Sequence, residues 1–455
     1  MLEKLVAAIQ VPDIRRRLQY VLMIFAIYVV ALHVPAAGID RDAVAGHLQG
    51  VFGMVDVFSG GALKRFSVIA MGIMPYINAS IIMQLLTVAI PQLQALSKEG
   101  ESGRKVISKY TRYASVGLGL VQAFGLYQMF SHPAGNSPAA IQPGILHCIT
   151  IMIVLTAGTM FLLWLGEQIT EKGIGNGVSL IIFVGIIISI PQQVIQTSVL
   201  AQNDPSHIPG VIGLVVLFLA SIVGIIYMTQ GMRKIPVRHV KRIVGTGGNR
   251  QMTQESSSYL PLKVNTAGVI PVIFATSILL FPVTLANYFP RGTPFGQQLY
   301  KVTEWLQPGH SILASLLFAF LVLFFTYFYT AIQYDTSDIA DNLKKYGSFI
   351  PGIRPGRPTA EYLDKVLTRI TLAGAVFLAV ISLVQYWAPT ITGINNPGGG
   401  SPSMVGGTSL LIVVGVALET MQAIEAQMAM RNYEGFIKAK PGEPSSGLAP
   451  ARRAV

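Results

Sequence analysis

The stretch FSVIAMGIMPYINASIIMQLLTV (66–88) decides how this chain is read. It carries no charged residue and exceeds the roughly 20 residues that a helix needs to cross a bilayer core. Pro75 sits inside it. Proline within a helix removes an N–H donor and frees a carbonyl. In lipid, such a break is tolerated only against protein or a water-filled cavity. The stretch therefore predicts a membrane helix, interrupted where it faces the protein interior.

The local pattern recurs. Gly72-Ile73-Met74-Pro75-Tyr76-Ile77 has a counterpart in Gly268-Val269-Ile270-Pro271-Val272-Ile273. Both read glycine, two apolar residues, proline, any residue, isoleucine. Working outward, ten stretches are apolar enough to span. They are Leu18–Val34, Phe66–Val88, Tyr113–Phe130, Ile149–Leu165 and Gly175–Ile195, then Val211–Tyr227, Val269–Tyr288, Ile312–Tyr329, Ile370–Trp387 and Thr408–Met430. None holds Lys or Arg. The two matched patterns fall in the second stretch of each group of five. An odd number of spans per repeat forces inverted topology, and paired broken helices point to the functional interface between halves.

Composition agrees. The 455 residues are 52% hydrophobic and 12% charged. Soluble domains carry about 25% charged residues. So apolar a chain is not disordered either. The single cysteine, Cys148, excludes a disulfide framework and a cysteine-based zinc site. With the N-terminus taken as cytoplasmic, 28 of the 33 Lys and Arg fall in cytoplasmic segments. The positive-inside rule then predicts both termini in the cytoplasm and an even span count. Two cytoplasmic loops are large, about 228–265 and 330–369. The first reads as a hairpin (VRHVKRIV, a GTGGN turn, then QMTQESSSY) or equally as a flexible basic loop. Between the first two spans, VFGMVDVFSGG (51–61) is too short to cross and reads as an interfacial or re-entrant piece.

Catalytic chemistry is not written in the chain. There is no phosphate-binding loop, and GIGNG (173–177) reads as a tight turn between two spans. The seven histidines lack metal-ligand spacing. No enzyme activity, cofactor or metal is expected. Acids inside membranes mark proton or ion coupling; here only Glu419 lies well inside a span, near its cytoplasmic end. Composition and periodicity leave open a channel, a transporter or a scaffold with a cytoplasmic partner.

The order of longer motifs goes further. They are DVFSGGALKRFSVIAMGIMPYINASIIMQLLTV (56–88), KEGESGRKVISKYTRY (98–113) and GTMFLLWLGEQITEKGIGNGVSLIIF (158–183). LPLKVNTAGVIPVIFATSILLFP (260–282), ADNLKKYGSFIPGIRPGRPTAEYLDKV (340–366) and GGTSLLIVV (406–414) follow. In these the chain resembles the SecY family, the central subunit of the bacterial protein-conducting channel. The resemblance implies an all-α integral membrane fold. Ten transmembrane helices form two inverted five-helix halves, a clamshell around a central pore. Halves at 1–195 and 196–430 and a cytoplasmic tail at 431–455 are expected; the tail is Pro-, Ser- and Gly-rich and reads as disordered.

The implied function is passive conduction of unfolded secretory polypeptides, with lateral release of hydrophobic segments into the lipid bilayer. The alternative is a secondary transporter of a small polar solute. The resemblance implies a pore ring of Ile73, Ile77, Ile182, Ile273 and Ile412. A narrow apolar constriction dewets and bars ions. A plug at about 51–65 is implied, with Phe52, Met54, Phe58, Ser59, Gly60 and Gly61. A lateral gate is implied near Asn78, Ser80, Gln84 and Asn265. Docking of the SecA motor ATPase or the ribosome is implied at Arg354, Arg357, Lys344, Lys345, Arg238, Lys241 and Arg242. Small SecE-like and SecG-like membrane subunits are expected as partners. The expected location is the bacterial plasma (inner) membrane. The loop MTQESSSYLPLKVN (252–265), after GTGGNR, departs from the family's usual sequence, so its tip contacts do not carry over.

Overall fold

The computed structural model describes residues 9–39, 44, 59–131, 140–203, 205–239, 258–286, 294–306, 308, 311–393 and 406–438. In chain order the first helices are α1 (Pro12–His33), α2 (Met74–Ala89), α3 (Pro91–Lys98), α4 (Glu101–Ser131), α5 (Ile145–Lys172), α6 (Gly177–Asn203) and α7 (Ile208–Gln230). Strands β1 (Met232–His239) and β2 (Ser258–Lys263) follow. Then come α8 (Ile270–Ala286), α9 (Pro294–Leu306), α10 (Ile312–Gln333), α11 (Thr336–Lys345), β3 (Ser348–Phe349), α12 (Arg357–Thr392) and α13 (Gly407–Lys438).

Each of the ten apolar stretches overlaps a helix. Among the described residues, seven helices are long and apolar enough to cross a membrane, and α2 with α3 makes an eighth if that pair, bent by 100°, is one span. The other two stretches lie in α4, behind a cation-rich first third, and in α8, where Ile270–Leu279 is the apolar part. On α7, Ile212, Val216, Leu219 and Val223 are 59%, 61%, 56% and 67% exposed. They recur at helical spacing, so they form one outward apolar stripe suited to lipid, not water.

Proline acts differently from the expectation. Residues 66–73 are not helical, and α2 begins only at Met74, with Pro75 in its first turn. Pro271 is likewise the second residue of α8. There the missing N–H costs nothing, because first-turn donors have no intrahelical partner. The two patterns therefore start helices where breaks were expected. The leads match in detail. Gly72 and Gly268 have φ of 57° and 64°, which glycine adopts without strain. The N–H groups of Tyr76 and Ile77 both bond the Ile73 carbonyl, and those of Val272 and Ile273 both bond the Val269 carbonyl. Among the described residues, the prolines inside helices are Pro191, Pro282 and Pro389.

Buried apolar residues form two main clusters. One joins α7, α8, α10, α12 and part of α13 through Leu214, Val272, Phe318, Leu378 and Leu411, and takes in Ile81 from α2. The other joins α1, α5 and α6 through Ile24, Leu162 and Ile181, and takes in Ile412 and Val416 from α13. Thus α2 and α13 each reach across.

A small sheet of order β2-β1-β3 accompanies the helices on the two large loops. β1 and β2 pair antiparallel from Met232↔Lys263 to Val237↔Ser258. The strands are MRKIPVRH and SYLPLK, which share 237–239 and 258–259 with the runs read as a hairpin. Alternation supports them: Ile235, Val237 and Leu262 are buried, while their polar neighbours are exposed. The GTGGN turn lies outside the described residues, as does the tail from 439 onward.

Candidate functional site: an apolar cavity where four helices meet

Ile73, Ile77, Ile182, Ile273 and Ile412 line one cavity, together with Met71, Gly72, Met74, Ser59 and Thr276. Four elements bring them there: the first turn of α2 with its lead, then α6, α8 and α13. Two of the pairs are matched in sequence. Ile77 and Ile273 close the two repeated patterns. Ile182 and Ile412 each lie five residues beyond a glycine that opens its helix, Gly177 and Gly407. The space open to the centre of a water-sized sphere is about 30 Å³. That is room for roughly two waters, at 10–15 Å³ each by this measure. The Thr276 hydroxyl donates to the Ile273 carbonyl, 2.9 Å away, so this hydroxyl is already engaged. Among the described residues, no three His, Cys, Asp or Glu side chains come together as for a metal.

One end of the cavity is closed by the segment before α2. Ser59 lines it, and the Tyr28 hydroxyl on α1 donates to the Ser59 carbonyl at 3.0 Å. Gly60 has φ of 73°, and a Cβ there would stand 2.9 Å from the Gly185 carbonyl oxygen of α6. Close approach, and not only looseness, explains glycine here. Ala62 and Leu63, which follow it in the chain, are buried. Phe52, Met54 and Phe58 lie outside the described residues.

The seam between α2 and α8 is apolar. Ile77, Ile81 and Leu85 recur every four residues on α2 and join the cluster that holds Val272, Ala275 and Leu279 of α8. Asn78 and Asn265 each bury an Oδ1 atom that accepts no hydrogen bond. Ser80 and Gln84 are half-buried on α2. No hydrogen bond joins these four side chains to one another among the described residues.

The family model for SecY matches residues 67–421. This chain belongs to the SecY family. It is 42% identical over 430 residues to the protein translocase subunit SecY of Escherichia coli K12, covering 94% of each chain. Among solved structures it resembles a protein-conducting channel, with a TM-score of 0.64, 16% identity and coverage of 93% of this chain and 95% of the other. It also resembles canine Sec61 from a ribosome–channel complex of the endoplasmic reticulum, with a TM-score of 0.61, 15% identity and the same coverage.

In this SecY-family chain, the two large loops form one platform, which sequence reading treated as separate. Ile235 and Leu262 of the sheet pack with Ile350, Leu363, Val366 and Leu367. At 36 residues α12 is about 54 Å long, against a hydrocarbon core of about 30 Å, so its first turns stand clear of the lipid. Asp335 caps α11, its Oδ1 accepting from the Ser337 and Asp338 N–H groups. Lys344 and Lys345 occupy the last turn, where cations suit the helix dipole. Arg354 is exposed on a loop shaped by Gly352 and Gly356, with φ of 83° and 102°. Its carbonyl accepts from the Thr359 hydroxyl at 2.8 Å. Arg357 pairs with Glu361 at 3.2 Å. Arg238 is exposed beside Phe349 across the sheet. Lys241 and Arg242 lie outside the described residues. The signal for the platform was the alternation in MRKIPVRH, which asks for apolar partners, and Leu262 of β2 and the second loop supply them.

Proposed function

We propose that this chain forms the pore of a protein-conducting channel in the bacterial plasma membrane, with both termini cytoplasmic. Unfolded secretory polypeptides pass through it, and hydrophobic segments leave sideways into lipid. The observation that carries this reading is the single apolar cavity lined by Ile73, Ile77, Ile182, Ile273 and Ile412. Five aliphatic side chains from four helices make a constriction that holds no charge and offers passing side chains only dispersion contacts. It can widen around a bulky chain and dewet when the chain has gone. A site for a small polar solute needs the opposite, convergent polar groups.

The segment about 51–65 acts as the plug, and its Ser59 and Gly60 meet Tyr28 and Gly185. The α2–α8 seam is the lateral gate. Its packing is apolar, and the unbonded Asn78 and Asn265 carbonyls weaken the closed state, because a buried acceptor without a donor is costly. The expected boundary at 195/196 falls inside α6 and that at 431 inside α13, so the first half ends with α6, the second with α13, and the chain after α13 is a cytoplasmic tail. The platform, with Arg354, Arg357, Lys344, Lys345, Arg238, Lys241 and Arg242, docks SecA or the ribosome. Cations suit both ribosomal RNA phosphates and an acidic motor surface. The ribosome-bound canine relative supports the ribosomal option. SecE-like and SecG-like subunits flank the lipid-facing helices. Energy comes from the partner, through ATP hydrolysis or peptide synthesis.

The test is reconstitution of the chain with its small partner subunits, SecA and ATP in proteoliposomes. A radiolabelled secretory precursor should become protease-protected only with ATP. Absence of protection, together with saturable uptake of a small solute, would refute the reading.

A further inference from the structure

The leads into α2 and α8 are gripped in the same way on both sides. The Val68 N–H donates to the Val34 carbonyl, at the C-cap of α1, at 3.0 Å. The Val264 N–H donates to the Gly231 carbonyl, at the C-cap of α7, at 2.9 Å. Val68 and Val264 hold equivalent places, each four residues before the glycine of its repeated pattern. Their carbonyls also find equivalent seats. A Cβ added at Gly158, in α5, would overlap the Val68 carbonyl oxygen. A Cβ added at Gly374, in α12, would stand 2.7 Å from the Val264 carbonyl oxygen. Neither glycine has a positive φ, so its smallness is needed for space and not for backbone shape.

A second pair repeats the arrangement. Gly177 opens α6 against the Gly166 carbonyl of α5, and Gly407 opens α13 against the Ile381 carbonyl of α12. A side chain at either would overlap that oxygen. Thus α5 and α12 each hold two cavity-lining elements by glycine contacts, and all four elements that carry the five isoleucines are accounted for.

We propose that Gly158 and Gly374 are positioning residues of the constriction, seats that fix where the leads at Val68 and Val264 lie and hence where Ile73, Ile77 and Ile273 point; Gly177 and Gly407 do the same for Ile182 and Ile412. This rests on reading the five isoleucines as the constriction. The physical cause is short-range. Each lead turns within four residues through a glycine, Gly72 or Gly268, into a helix whose first turn carries the lining side chains. A methyl in the seat displaces the carbonyl, and the next helix starts from a shifted, rotated origin. Packed interiors transmit such displacements because they hold few voids.

The experiment uses the full chain with its small partner subunits in planar bilayers, in a Cys148→Ser background. Two readouts are taken: resting ion conductance, and disulfide trapping between cysteines replacing Ile77 and Ile273. Gly158→Ala and Gly374→Ala are compared with Gly117→Ala, a mid-helix glycine with nothing within 4 Å of an added Cβ. Both seat variants should raise resting conductance at least about threefold, since a displaced apolar ring re-wets. Trapping should fall at least about threefold, because disulfide geometry is narrow. Gly117→Ala should change neither. Gly158→Ala should exceed Gly374→Ala, following the deeper overlap. If Gly158→Ala fails to accumulate in the membrane, Gly374→Ala decides. Parental conductance and trapping in a normally inserted Gly374→Ala chain would overturn the proposal. Ile73→Gly with Ile77→Gly is run alongside. If it leaks while the seat variants do not, the seats fail and the constriction stands. If it does not leak, the constriction reading fails, and trapping alone decides the seats.

Discussion

The central cavity and the cytoplasmic platform solve opposite problems with the same apolar residues. At the cavity, isoleucines face open space and no charged side chain lines it. On the platform, isoleucines and leucines turn inward to form a small core, and the cations stand outside. On the function proposed above, the cavity works by what it withholds: no bond to a passing chain and no ligand for an ion. The platform works by what it presents, positive charge on a packed mount. The proposal then expects one region to fail when its side chains shrink and the other when its charges change.

The largest effect should come from emptying the cavity wall. Ile73→Gly with Ile77→Gly should raise resting ion conductance about tenfold or more in planar bilayers, since the dewetting gap widens. Unchanged conductance would break the cavity side of the contrast. Arg354→Glu tests the other side. ATP-driven precursor protection should drop about tenfold while resting conductance stays parental, and Arg354→Lys should restore only part, because lysine lacks the planar fork. Leu363→Ala attacks the mount without touching a charge. It should cost about 2–4 kcal/mol locally, by loss of buried contacts. Limited proteolysis of 330–369 should report this, again with parental conductance. Tyr28→Phe removes the hydroxyl that holds Ser59, a bond worth about 1 kcal/mol. It should raise resting conductance by no more than about fivefold, the factor that energy allows. Smallest is Arg357→Ala. Its pair with Glu361 is exposed and contributes little to folding. Proteolysis should be unchanged, so any loss of precursor protection reports docking and not stability.

Much of this was legible in the chain. Ten apolar stretches, the biased cations and the repeated glycine–proline pattern give the helices and the matched leads. The motifs then single out five isoleucines that the structure brings to one cavity. What sequence could not supply depends on backbone and on distance. Whether Pro75 breaks a helix or starts one depends on the left-handed turn at Gly72, and hydropathy does not encode φ. The union of the two large loops depends on contacts such as Ile235 with Leu363, more than a hundred residues apart. The polar residues of the seam are visible in the chain, but not that Asn78 and Asn265 bury their acceptors without meeting a donor among the described residues. The packing there is carried by Ile77, Ile81 and Leu85. Gly158 and Gly374 look like any other glycine in an apolar span until their neighbours are placed.

The central claim is that polypeptide passes between the five isoleucines. The direct measurement places a photocrosslinker at Ile73, Ile182 or Ile412, one at a time, and stalls a secretory precursor halfway with SecA and ATP. The account predicts ATP-dependent adducts from all three positions, since their helices enclose one path. Export that proceeds with no adduct from any of them would contradict it, and would put the route of the chain elsewhere in the molecule.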